Sequence, residues 1–114
     1  MRLNGPFGLL QGSEMLFSHY ANGGEMWVGE GPRAIRHPVT FTTPFRTPPA
    51  VHVGLSLWDM GAGSNIRVDI EPEDITGDGF TIVFKTWADS RIARMRAAWM
   101  AIGELPDPDL WDLD

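Results

Sequence analysis

At 114 residues the chain has the size of one domain and buries roughly two thirds of its unfolded surface, so it needs no covalent staple. Its 43% hydrophobic and 21% charged residues are ordinary globular usage, and the absence of cysteine excludes disulfides, thiolate zinc sites and cysteine nucleophiles. Fifteen acids against nine lysines and arginines leave a formal charge of -6, a balance that repels phosphate backbones and anionic membranes, so nucleic acid is not an expected partner.

The chain opens Met1-Arg2-Leu3-Asn4-Gly5-Pro6, with glycine and proline where a secretory signal needs an unbroken apolar core, and no such signal is read there. Residues 1–10 read as an N-terminal arm, followed by a weak strand over 11–19. Thirteen glycines and nine prolines fall between short patterned runs, as turns between strands do, which predicts an all-β domain. Ile35, His37, Val39 and Phe41 alternate as a strand that Pro38 pushes towards an edge or a bulge. Val51, Val53, Leu55 and Leu57 form the apolar stripe of a central strand, with His52, Gly54, Ser56 and Trp58 on its other face. Ile66, Val68 and Ile70 alternate with Arg67, Asp69 and Glu71, placing three charged side chains on the face opposite the apolar one. After the turn at 76–79, Phe80, Ile82 and Phe84 repeat the pattern and send Trp87 off the core stripe. Segment 91–102 is ambiguous: Ile92, Met95, Trp99 and Ile102 follow helical spacing and alanine favours helix. Read as a strand it points Met95, Ala97, Trp99 and Ala101 inward and Arg94 and Arg96 outward, which fits a sandwich, and that is the reading adopted. The longest near-apolar stretch, Met95 to Gly103, is too short to span a bilayer and carries Arg96, so no membrane insertion is expected. The domain is expected over 11–103, and 104–114 reads as an acidic tail around Leu110, Trp111 and Leu113: a solvated end or a docking peptide.

An ordered series of short motifs now stands out: Val39-Thr40-Phe41, Pro44-Phe45, Pro48-Pro49-Ala50-Val51, Asn65-Ile66-Arg67-Val68, Gly79-Phe80, Thr86-Trp87 and Trp99-Met100-Ala101-Ile102-Gly103. Taken together these resemble the H-type lectin family over about residues 38–103. The resemblance implies a six-stranded antiparallel β-sandwich, assembly as a homotrimer, and binding of N-acetylgalactosamine or galactose with no catalytic step. It also implies a pocket made of a loop carboxylate, an arginine and a Trp-His pair. Arg67 and Trp87 match directly; counting back from Phe41 puts the acid at Glu30, and the histidine position is Ala88. The missing imidazole sets this chain apart from the family pattern and leaves the monosaccharide open.

The residue types suit a sugar on chemical grounds as well. A carboxylate accepts from hydroxyls, a guanidinium donates to them, and an indole packs on the C–H face of a pyranose ring. The carbohydrate-binding candidates are therefore Glu30, Arg67 and Trp87, with Asp59 and Asp89 as supports; Asp59 either orients Arg67 or caps a turn. The plainer readings are that Glu30 solvates a glycine-rich loop, that Arg67 pairs with Asp69 or Glu71, and that Trp87 seals a protomer contact.

Other chemistries fare worse. His19, His37 and His52 lie on different expected elements without metal-ligand spacing, so no metal is expected. Asp69, Glu71, Glu73 and Asp74 are acids a glycosidase could use, but Asp69 and Glu71 point the same way on one exposed strand, and no catalytic residue is assigned. No phosphate-cradling loop or nucleophile elbow appears, and nothing marks a cofactor. Two readings remain: a glycan-binding lectin module acting on cell-surface or capsular glycans, as in cell adhesion, or a structural trimerisation or attachment domain of a surface or virus-like particle whose pocket has degenerated.

Overall fold

The computed structural model describes residues 6–18, 31–61 and 65–106. Glu30, His19, the first five residues and the tail beyond Pro106, with Trp111, lie outside the described residues. The described chain forms six strands: β1 (Phe7–Ser18), β2 (Arg33–Thr40), β3 (Ala50–Met60), β4 (Val68–Glu73), β5 (Gly79–Thr86) and β6 (Ile92–Glu104). They make two antiparallel three-stranded sheets, ordered β1-β6-β3 and β2-β5-β4. The fold is the six-stranded all-β sandwich that the alternation and the family resemblance imply.

Each central strand carries the longest uninterrupted apolar stripe. In β5, Phe80, Ile82 and Phe84 are buried, and in β6 the inward set Met95, Ala97, Trp99 and Ala101 is buried while Arg94 is exposed. Segment 92–104 is thus a strand although alanine favours helix, because the middle of a sheet offers two partners and a core for every second side chain. Between the sheets, Phe41 meets Phe45 edge-on with centroids 5.1 Å apart and contacts Phe80 and Trp99, while Phe80 meets Trp99 at 5.4 Å. Tilted and edge-to-face aromatic pairs of this kind add about 0.5–1.5 kcal/mol each beyond their buried area. Trp99 fits because its β1 partner is Gly12, where a Cβ would come within 2.6 Å of the indole.

Two strand limits and the register of one strand differ from the sequence reading. β1 begins at Phe7, inside the expected arm, since residues 7–10 pair with 101–104 of β6. β4 begins at Val68, which leaves Ile66 outside the sheet and exposed. Register shifts at Leu55/Leu57 and Asp59/Met60 break the alternation of β3, so Trp58 stands opposite Met95 instead of sharing a face with His52 and Gly54. A one-residue slip of this kind exchanges the two faces of a strand.

The exposed face of the β2-β5-β4 sheet is laced with charge. Arg36 pairs with Glu73 at 3.4 Å and Asp74 at 2.8 Å, and Lys85 lies 3.8 Å from Glu71. Exposed pairs such as these contribute about 0–1 kcal/mol each, so they tune the surface and do not hold the sandwich together.

Candidate functional site

One end of the β2-β5-β4 sheet brings three separate segments together: the start of β2, the run from Asn65 into β4, and the turn from Trp87 to Ser90 that links β5 to β6. Val68 and Arg33 both pair with Thr86. Continuing those registers by one residue sets Arg67 and Pro32 on either side of Trp87. The indole is 43% exposed, a large apolar surface left open where the core stripe of β5 ends. Against it lies a shallow depression of about 270 Å3 lined by Pro32, Arg33, Ala34, Lys85, Thr86 and Trp87.

Arg67 is fixed at both ends of its residue. Its backbone N–H donates to Ser90 Oγ at 3.0 Å and its carbonyl accepts from Thr86 Oγ1. Its guanidinium donates through Nη1 to Asp89 Oδ1 at 2.6 Å, and Asn65 Nδ2 donates to the other Asp89 oxygen at 3.4 Å. Arg67 therefore pairs with Asp89 and not with Asp69 or Glu71 of the following strand β4. Partial desolvation pushes the Asp89 carboxyl up, but its own backbone hydrogen bond, Arg67's bond and charge, and Asn65's amide together hold it below its ordinary value of 3.8. The carboxylate stays ionised at neutral pH and pairs with the Arg67 guanidinium through Nη1.

Asp59 lies elsewhere. Its carboxylate sits 3.3 Å from the guanidinium of Arg94 on the neighbouring strand β6, and the Arg67 guanidinium is held by Asp89 instead. Glu30 lies outside the described residues, but the next residue, Gly31, donates its N–H to Ala88 O at 2.9 Å, which ties that segment to the Trp87–Ser90 turn.

Two residues that the sequence did not single out organise this end of the sheet. Arg33 is buried, and its guanidinium donates to Gly31 O at 3.0 Å, Ala88 O at 3.2 Å and Ser90 O at 2.8 Å. Ser90 is fully buried and donates its hydroxyl to Asn65 O while accepting from Arg67 N–H. Ala88 has a φ of 58°, the left-handed region that costs a residue with a Cβ about 1–2 kcal/mol. Its carbonyl accepts two hydrogen bonds, from Gly31 N–H and from Arg33 Nη2. The signal for Arg33 was present in the sequence: it extends the inward alternation of Ile35, His37 and Val39 by one step. Among the described residues no group of three or more His, Asp or Glu is placed to hold a metal.

The comparisons with known proteins now bear on this geometry. The family model of the H-type lectin domain matches residues 36–102. The chain belongs to the H-type lectin domain family. The match takes in Arg67, Trp87, Ala88, Asp89 and Ser90 and stops short of Glu30 and Arg33. The chain is similar along its whole length to the ATP synthase subunits region ORF 7 protein of Fuscovulum blasticum, at 54% identity over 114 residues covering 99% of that protein. Discoidin-1 of Dictyostelium discoideum is 34% identical over 75 residues, which are 65% of this chain and 30% of that one. Wild-type discoidin II of the same organism has the same fold, with a TM-score of 0.76 and 21% identity over 91% of this chain and 39% of its own. The chain thus spans well under half the length of the discoidins it matches.

Proposed function

We propose that this H-type lectin domain is a carbohydrate-binding module that recognises cell-surface or capsular glycans of galactose or N-acetylgalactosamine type and makes or breaks no bond. The observation that carries the reading is the Arg67 guanidinium held by Asp89 at 2.6 Å, at the same end of the sheet where Trp87 is left exposed. A hydroxyl pair accepts from Arg67 and donates to the carboxylates of Asp89 and Glu30, while the C–H face of the ring rests on Trp87. Such a depression is shallow and binds a monosaccharide weakly, so useful affinity comes from several copies: linked sites gain about 10²–10⁴ in avidity over a single one.

The assembly surface in this reading is the outer face of the β1-β6-β3 sheet, and the assembly is the homotrimer expected of the family. Its cross-strand rows Leu9–Ile102–Ala50, Gln11–Met100–His52 and Ser13–Ala98–Gly54 contain no Lys, Arg, Asp or Glu. Phe7, Leu9, Met15 and Met100 are exposed there, and a depression of about 460 Å3 on this sheet is lined by Gly12, Ser13 and Ala98 together with Gln11, His52, Trp99 and Met100. An apolar, largely uncharged sheet face of this kind is what a protomer interface covers.

A glycan array followed by calorimetry on the purified protein tests the reading. Binding to galactose-type glycans with affinity that rises with glycan density supports it, and no binding across a diverse array removes it. The second reading, a structural trimerisation or attachment domain of a surface or virus-like particle, draws on Ala88, which places a methyl group where the family resemblance calls for an imidazole. Under that reading, replacing Glu30, Arg67 and Trp87 leaves assembly intact, whereas removing residues 1–5 and 107–114, which spares every strand, abolishes it in light scattering.

A further inference from the structure

A buried guanidinium is costly unless its donors are met, and the Arg33 side chain meets them in an unusual place. It spends its fork on three backbone carbonyls, Gly31 at 3.0 Å, Ala88 at 3.2 Å and Ser90 at 2.8 Å. Those three carbonyls bracket the proposed sugar contacts. Glu30 precedes Gly31, Trp87 precedes Ala88, and Asp89 lies between Ala88 and Ser90. The network continues from Ser90 Oγ to Asn65 O and Arg67 N–H, so the fourth contact is reached through one further residue. The Ala88 carbonyl is where the constraint is greatest: it accepts from Arg33 Nη2 and from Gly31 N–H while the residue holds a φ of 58°. An L-residue does not adopt that conformation unless its surroundings over-determine it. The direction of that peptide sets the direction in which Trp87 and Asp89 leave the turn.

We propose that Arg33 is the positioning residue of the sugar site, a buried fork that holds Ala88 left-handed and thereby aims Trp87 and Asp89 at the same ligand as Arg67. The inference rests on the carbohydrate reading above. It adds that affinity depends on a buried side chain whose guanidinium is engaged with backbone carbonyls. Lysine cannot replace it, since an ammonium carries the charge but not the planar fork that spans several carbonyls.

The test uses the full chain with N-acetylgalactosamine as the probe, followed by calorimetry and by the Ala88 Cα and Hα chemical shifts, which report the sign of φ. Arg33→Lys, measured well below its melting range, is expected to bind at least about tenfold more weakly, the loss typical of a broken charge-assisted hydrogen bond. Its Ala88 shifts are expected to leave left-handed values. Adding Ala88→Gly to the Lys variant is expected to restore part of the affinity, because glycine reaches positive φ without being forced; a residue needed only for folding gives no such rescue. Arg36→Ala, on the same strand but in exposed ion pairs with Glu73 and Asp74, is expected to change affinity by less than about twofold. Where the Lys variant does not fold, Arg33→Gln takes its place, and failure of both to fold overturns the proposal in favour of a purely structural role. Wild-type affinity in the folded variant, or unchanged Ala88 shifts, overturns it as well. Absence of N-acetylgalactosamine binding by the wild type is a different result: it counts against the carbohydrate reading, and the Ala88 shifts alone then decide whether Arg33 sets the turn.

Discussion

Replacing Ser90 by alanine isolates the hydroxyl that joins the Arg67 segment to the β5–β6 turn. The side chain is fully buried, donates to Asn65 O and accepts from Arg67 N–H at 3.0 Å, whereas the Ser90 carbonyl that receives Arg33 is untouched by the substitution. Alanine leaves one buried donor and one acceptor unmet, at about 1–3 kcal/mol each. Asn65 is itself exposed, so water reaches its carbonyl more easily than the Arg67 amide, and the expected total is about 2–3 kcal/mol. At about 3–5 °C per kcal/mol for a domain of this size, the melting temperature falls by about 6–15 °C. Urea denaturation with an unchanged slope confirms that the loss is stability and not a change in the unfolded state. Ser56→Ala is the control: that hydroxyl is exposed, and a change within about 0.5 kcal/mol is expected. A loss below about 0.5 kcal/mol for Ser90→Ala refutes the buried bridge and with it the idea that the three segments form one unit.

Three further outcomes follow from the same geometry. Because the folded state holds the Asp89 carboxyl below its ordinary value of 3.8, its contribution to stability is present above that value and disappears as pH falls through the lowered one. Sugar affinity is accordingly expected to be level from about pH 7 to 5 and to drop in acid, and a calorimetric pH series in which it rises in acid contradicts the role given to Asp89. Asp89→Asn is expected to weaken sugar binding at neutral pH while leaving stability almost unchanged, as for an exposed ion pair, checked by calorimetry and a melting curve. Gly79→Ala is expected to destabilise by about 1–3 kcal/mol, since a Cβ there would overlap the Val39 carbonyl oxygen and the backbone must move; a melting temperature equal to wild type contradicts the close approach of β2 and β5.

The strands were legible wherever one face is fully buried and the period of two is unbroken, as in Phe80, Ile82 and Phe84 or Met95, Ala97, Trp99 and Ala101. Trp58 and Ile66 were misplaced because bulges and strand ends are set by pairing partners far along the chain, which alternation does not record. Arg67 and Trp87 could be named from their motifs, and each follows or precedes one member of the Val68–Thr86 pair that ends the β4–β5 register. What the sequence could not supply was the partner of each charge. Asp59 with Arg94 and Asp89 with Arg67 are pairs 35 and 22 residues apart, and each depends on which strands become neighbours. Arg33 continues the inward alternation of Ile35, His37 and Val39, but the carbonyls that receive its guanidinium come from a turn some 55 residues away, which that alternation does not record.

The most direct test of the central claim is a titration of N-acetylgalactosamine or galactose into the wild-type protein and into Arg67→Ala, with melting curves for both. Binding by the wild type, and a loss of about 1.5–3 kcal/mol in the variant with little change in melting temperature, is the result expected when a charged donor meets a sugar hydroxyl. Equal affinities in the two proteins, or a loss of stability as large as the loss of binding, would show that Arg67 serves the fold and that the sugar is held elsewhere or not at all.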